Sequence, residues 1–309
     1  MFLRCPRHCL VMGVCVLLLS ACSHTPIQPN PVSSLPDFAY VDTLFFPQTE
    51  HHCGPAALAG ALSASGLVSY PEELAPWVYL PEREGSLQME LIATTREAGR
   101  VPYVLEPEMA AVMKELAAGH PVLVLQNLGL SWYPRWHYAL MVGYDLETQR
   151  VILHSGTEQD YQLGMRTFDN TWQRAGRWAM VVLPPDRLPA TANVLNYLTA
   201  AFPLERKHPE LAMQAYQTAL QRWPAQLPLL LSLGNVQYRL GDLKAAEQSF
   251  YAATQAEPDS AAAHNNLAHV LLRQHKIAEA KVAAMRAVEL ADGTLPQALE
   301  TLRAVKSSP

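Results

Sequence analysis

Cysteine is scarce where it would matter. Four of the five cysteines, Cys5, Cys9, Cys15 and Cys22, crowd the first 22 positions of a 309-residue chain, and Cys53 alone stands in the remainder. One thiol forms no intramolecular disulfide, so a cysteine-stapled scaffold is excluded beyond residue 22. Charge of one sign is also thin. The formal net charge is −5, with 23 Lys and Arg against 28 Asp and Glu, and the chain has neither a basic stripe nor a long single-sign block, which argues against nucleic acid as its main partner. There is no nucleotide-binding loop and no metal-ligand cluster, so no cofactor and no metal are expected. His51, His52 and Cys53 do not make one, because neither a helix nor a strand lets three adjacent side chains converge. The apolar run at residues 10–19 is too short to span a bilayer comfortably.

What is present begins with that N-terminal run. Arg4, Arg7 and His8 precede it, and residues 1–21 read as a secretory signal peptide. The segment ends in Leu19-Ser20-Ala21-Cys22, which resembles a bacterial lipobox. The resemblance implies cleavage before Cys22, lipidation of that residue, and an exported lipoprotein at the periplasmic face of a membrane; Ser23 fits the outer-membrane form. Residues 22–37 are rich in Pro and Ser and read as a tether. In an oxidising compartment a spare thiol is a liability, so the retained Cys53 favours chemistry over packing.

The surroundings of Cys53 give that chemistry a form. Gln48 lies five residues upstream, and Gly54-Pro55-Ala56-Ala57-Leu58 opens an alanine-rich segment expected to be helical from 54 to 65, with Gly66 as its stop. A thiol at a helix N-terminus is expected to favour its thiolate. The Gln48 amide can donate to a developing oxyanion. The candidate base is His137, at the head of an apolar strand. Trp132, Tyr133 and Trp136 precede it as a groove wall or as plain packing.

The rest of the first half reads as α+β. Strands are expected at 38–44, 101–105, 121–126, 137–144, 150–154, 162–167 and 178–183. Helices are expected at 72–78, 87–98 with Ser86 as N-cap, 107–118 and, as a short turn, 168–174. One helical layer on a mostly antiparallel sheet is the expected arrangement. This order, with segments 48–58, 86–99, 137–145 and 168–183, resembles the bacteriocin-processing, double-glycine type of papain-like cysteine peptidases in a lipoprotein-borne form. The resemblance implies a peptidase domain over 38–187 with Cys53 as nucleophile, His137 as general base and Gln48 as oxyanion donor. It also implies an orienting Asp or Asn after the next strand, where this sequence has His154-Ser155-Gly156. Ser155 is the first candidate for that place, with His154, Asp145 and Asp160 as alternatives.

Beyond Pro184-Pro185 the pattern changes. Pro224, Pro258 and Asp292 recur at intervals of 34, as do Ala212, Ala246 and Ala280, and Ala219, Ala253 and Ala287. Tyr216 and Phe250 share the register, and Leu233-Gly234 is echoed by Leu267-Ala268. The period resembles the tetratricopeptide repeat, with 227–260 the best match, 261–294 good, 193–226 in its second half only, and a capping helix at 295–305, giving an all-α array over 193–306. Asn235, Asn265 and Asn266 are candidate contacts to a partner backbone. The expected activity is a membrane-anchored thiol protease, a hydrolase of peptide or protein substrates, with repeats that dock substrate or a protein partner. The alternative is a catalytically weak or inactive peptide-binding assembly lipoprotein.

Overall fold

The structure, a computed structural model, describes residues 35–48 and 52–308. The expected signal peptide, the lipidation site Cys22, most of the tether, and His51 lie outside the described residues. Strand β1 (Phe38–Tyr40) leads to helix α1 (Cys53–Ala64), α2 (Pro71–Val78), a two-stranded ribbon of β2 (Tyr79–Leu80) and β3 (Gly85–Ser86), and α3 (Gln88–Glu97). Then come β4 (Val101–Val104), α4 (Met109–Ala117), β5 (Val122–Asn127), β6 (Trp136–Asp145), β7 (Arg150–Ser155), β8 (Glu158–Gly164), α5 (Met165–Gln173) and β9 (Ala179–Leu183). The main sheet runs β4-β9-β5-β6-β7-β8 with β1 beside β6, every pairing antiparallel. Helices α1 and α4 are followed by Gly66 and Gly119 at φ of 82° and 83°, a left-handed conformation that a side chain would oppose.

The expected single helical layer is corrected to two. β5 and β9 are buried along their whole length, because both sets of alternating side chains are apolar and both faces therefore need cover. On one face Leu123, Leu125, Leu140 and Met180 pack against Leu58 and Leu62 of α1, Val78 of α2 and Leu91 of α3. On the other, Val122, Val124, Met141 and Val181 meet Val112 and Leu116 of α4 and Phe168 and Trp172 of α5.

Two local expectations also change. The strand near 162–167 is the earlier β8, because Met165, Phe168 and Trp172 form one buried face of α5 that begins at once after Gly164. Ser86 does not cap α3. Leu87 holds the N-cap position, and Ser86 belongs to β3.

Helices α6 (Val194–Ala201), α7 (Pro209–Arg222), α8 (Leu227–Arg239), α9 (Leu243–Ala256), α10 (Ala261–Arg273), α11 (Ile277–Ala291) and α12 (Pro296–Ser307) form the array. The two alanine series are buried, and a Cβ on Gly234 would sit 2.5 Å from a Phe250 ring carbon, so the small-against-large pairing lets α8 and α9 approach closely. The array shares a core with the sheet domain: Tyr197, Leu204, Tyr216, Leu229 and Leu233 belong to the same apolar cluster as Tyr103 and Val181. Glu115 of α4 locks the joint. Its buried carboxylate accepts hydrogen bonds from the backbone of Ala190 (3.1 Å) and Thr191 (2.8 Å), and from the Thr191 hydroxyl (2.6 Å), and contacts His120 at 2.8 Å. These partners together outweigh the burial that opposes its charge, so its pKa is lowered.

Candidate active site

Strand β6 organises the site by outrunning its neighbour. Pairing with β7 stops at Leu140↔His154, which leaves the Tyr138 backbone without a β7 partner. Gln48 fills the fork between the strands. Its Nε2 donates to Tyr138 O (3.4 Å), its Oε1 accepts from Gly156 N (3.0 Å), and its own backbone N–H donates to Gly156 O (2.8 Å). The Tyr138 backbone also hydrogen-bonds the Cys53 thiol. One short stretch of strand edge thus holds both residues that the Cys53 motif places five apart.

Helix α1 delivers Cys53 as its first residue and is buried from Gly54 to Leu62. Its small residues permit this closeness: a Cβ on Gly60 would lie 2.8 Å from Leu140, and one on Gly54 only 2.3 Å from Ser86 Oγ. The Ser86 hydroxyl is buried there without a hydrogen-bond partner. His52 caps the helix by position with no side-chain hydrogen bond to it, and its ring stands edge-on to Tyr79 at 5.1 Å.

Gln48, Cys53 and His137 line one cleft of about 870 Å³. Arg83, Glu84 and Ser86 of the ribbon form part of its wall, and Tyr133, Pro134, Arg135 and Trp136 form another part. Of the expected aromatic wall, Tyr133 (68% exposed) and Trp136 (57%) are in place, and Trp132 (81%) projects into solvent.

His137 Nε2 lies 2.8 Å from Ser155 Oγ. Of the four candidates for the orienting place, Ser155 is the one that contacts the ring. Asp145 does not reach it: eight residues along β6, about 27 Å away, its carboxylate accepts the backbone N–H groups of Glu147 (2.9 Å) and Thr148 (3.1 Å). Asp160 is engaged by the Tyr40 hydroxyl (2.9 Å), and His154 is turned to Asp160 and to the Phe45 ring.

The electrostatics correct one expectation. Burial pushes the Cys53 thiol above its ordinary pKa, and backbone hydrogen bonds from Tyr138, Gly54 and Cys53 itself only partly offset this. Desolvation outweighs these donors. Burial, and then the positive charge of Arg135, lower His137 to about 4. Both shifts favour the uncharged forms, a thiol on Cys53 and a neutral imidazole on His137. Among the described residues no group of three His, Cys, Asp or Glu side chains could hold a metal ion.

Residues 40–180 match the family model described as the Peptidase_C39 like family. They form a C39-peptidase-like domain. Residues 227–260 match the tetratricopeptide-repeat model, and the C39-like α+β domain is thus followed by a repeat array. The peptidase domain of Streptococcus ComA, described as a bifunctional ABC transporter involved in a quorum-sensing pathway, is similar at 16% identity over 45% of this chain and 97% of its own, with a TM-score of 0.38. A C39-like peptidase from Bacillus anthracis is similar at 16% identity over 49% of this chain and 96% of its own, with a TM-score of 0.37. The Yersinia enterocolitica secretion chaperone SycD, in complex with a peptide of the translocator YopD, is similar at 20% identity over 36% of this chain and 89% of its own, with a TM-score of 0.34. No curated protein matches the chain.

Sequence reasoning missed the ribbon wall and the anchoring of Gln48 by Gly156. Glu84 in a left-handed turn (φ 47°) before Gly85 is the hairpin's only local signal. In the repeats, Asn265 is not free for a partner, since its Oδ1 accepts from Thr301 of α12 (2.8 Å); Asn235 and Asn266 pair with each other at the surface (3.2 Å).

Proposed function

We propose that this protein is a cysteine peptidase that hydrolyses peptide bonds in peptide or protein substrates, held at the periplasmic face of a membrane by a lipidated Cys22. The observation that carries the reading is the convergence of Gln48, Cys53 and His137 on one cleft, with the far nitrogen of His137 on Ser155. Nε2–H donates to Ser155, and the Nδ1 lone pair takes the Cys53 proton as sulfur attacks the scissile carbonyl. The carbonyl electron pair moves to oxygen, where the second N–H of Gln48 and the Cys53 backbone N–H stabilise it. Collapse breaks the C–N bond, the amine leaves with the His137 proton, and water then releases the acyl group from sulfur. The repeats dock the substrate or a protein partner, a role their family match supports. Among the described residues no helix is long and apolar enough to cross a membrane.

Two measurements test this reading. A thiol-directed electrophile labels Cys53 at neutral pH, and Cys53→Ala abolishes the cleavage products that the wild type generates from a peptide library. Identical product sets from the two proteins would sink it. A second reading, a binding domain with little or no turnover, is favoured by the partner of His137, which is a hydroxyl where a carboxylate would stabilise the imidazolium. Peptide binding retained equally by wild type and Cys53→Ala, without cleavage by either, is its signature.

A further inference from the structure

The observation is an arginine nitrogen without a partner. Arg96, near the C-terminal end of α3, has a buried Nε with no hydrogen-bond acceptor. Elsewhere the chain supplies one: Arg177 is held by both oxygens of Asp169, at 3.1 and 3.0 Å. Among the described residues no carboxylate forms an ion pair with Arg96, and a buried N–H donor left unsatisfied is costly unless something accepts from it.

Arg96 lines a cavity of about 310 Å³ where the C39-like domain meets the array. Its other walls are largely apolar, with Ile92 of α3, Leu105 after β4 and Ala200 of α6 facing it. Leu87 at the opposite end of α3 borders the active-site cleft. Nine residues of helix, about 13 Å, separate the two sites. We propose that this junction cavity binds a monocarboxylate with a short apolar body, its carboxylate on Arg96 and its body against Ile92, Leu105 and Ala200. The guanidinium supplies parallel N–H donors that match a carboxylate. The volume is at the small end of ligand pockets, suited to a compact molecule or one terminal residue of a peptide. Glu106 also lines the cavity, with Oε1 accepting from Asn196 Nδ2 (3.2 Å). Its negative charge repels any carboxylate in the cavity, so the ligand's carboxylate must sit on the Arg96 side, away from Glu106, and a dicarboxylate is disfavoured further.

Two sources share this chemistry, a free medium-chain fatty acid and the C-terminus of a peptide ending in an aliphatic residue. Titration of the full chain with octanoate and with N-acetyl-Ala-Leu, followed by calorimetry, separates them, and octanamide and N-acetyl-Ala-Leu amide report on the charge. Binding of at least one carboxylate, weakened about tenfold or more in its amide and in Arg96→Gln, is the expected result. Arg96→Lys retains part of the affinity, and Thr199→Trp at the exposed rim blocks the cavity with Arg96 intact. Equal binding of acid and amide, unchanged binding by Arg96→Gln, or no binding of either acid to the wild type at about 10 mM would overturn the proposal. These readouts are independent of turnover at Cys53.

Discussion

His137 carries two environmental effects in one ring. Its lowered pKa of about 4 means that folding excludes a proton that the unfolded chain accepts near 6.5. Between those values the unfolded state binds more protons, so stability falls as pH drops through this window and the loss is complete below about 4. Replacing His137 with Gln removes that contribution: the urea midpoints of wild type and variant, compared at pH 7 and pH 5, should differ in pH response by at most about 2 kcal/mol. Ser155 is the handle on the same ring. Ser155→Ala deletes the acceptor on Nε2 and should lower kcat about tenfold or more with little change in KM. Ser155→Asp introduces a charge that stabilises the imidazolium, so the acid limb of the kcat/KM profile should move to higher pH. An unmoved acid limb would show that residue 155 does not face the working imidazole.

At the scale of elements, the cleft depends on how closely α1 lies against its surroundings. Gly54 adjoins Cys53, and a methyl group there would meet the Ser86 hydroxyl at 2.3 Å. Gly54→Ala should cost about 1–3 kcal/mol by overpacking and shift Cys53 away from Tyr138. Adding Ser86→Gly should recover most of the loss, a coupling that a double-mutant cycle of chemical denaturation measures directly. Strict additivity of the two substitutions would refute the contact. The strand β6 was legible because its apolar run has one period throughout, and α1 because alanine, proline and a terminal glycine mark it. The early end of β6–β7 pairing was not legible, since register is set by partners on both sides and by the irregularity between Met141 and Gly143. The same dependence hid the ribbon of β2 and β3, whose strands are two residues each.

For the whole molecule the joint between domain and array is the decisive feature. Tyr197, Leu204, Tyr216 and Leu229 complete an apolar cluster that the sheet and α4 cannot close alone, and Glu115 ties the connecting residues 190 and 191 to α4. A chain truncated after residue 187 should therefore expose that face and aggregate or lose cooperative unfolding, whereas the full chain should melt in a single transition. A truncated domain that stays monomeric and unfolds cooperatively would show the array to be a separate unit. The 34-residue period disclosed the repeats, since each unit buries its neighbour's small and large residues in a fixed register. It carried no trace of the surface against which the first helices pack.

By itself the sequence determined the residue types for thiol chemistry and their order along the chain, because Gln48, Cys53 and the start of α1 lie within one local segment. It likewise determined the α+β domain and the repeat array, whose periodicities are properties of neighbouring residues. Only the tertiary structure decided that Ser155 and not Asp145 meets His137, that burial leaves the Cys53 thiol and His137 uncharged at neutral pH, and that both faces of the sheet are covered. Those outcomes depend on desolvation and on contacts between residues far apart in the chain, which arise only when the elements are packed.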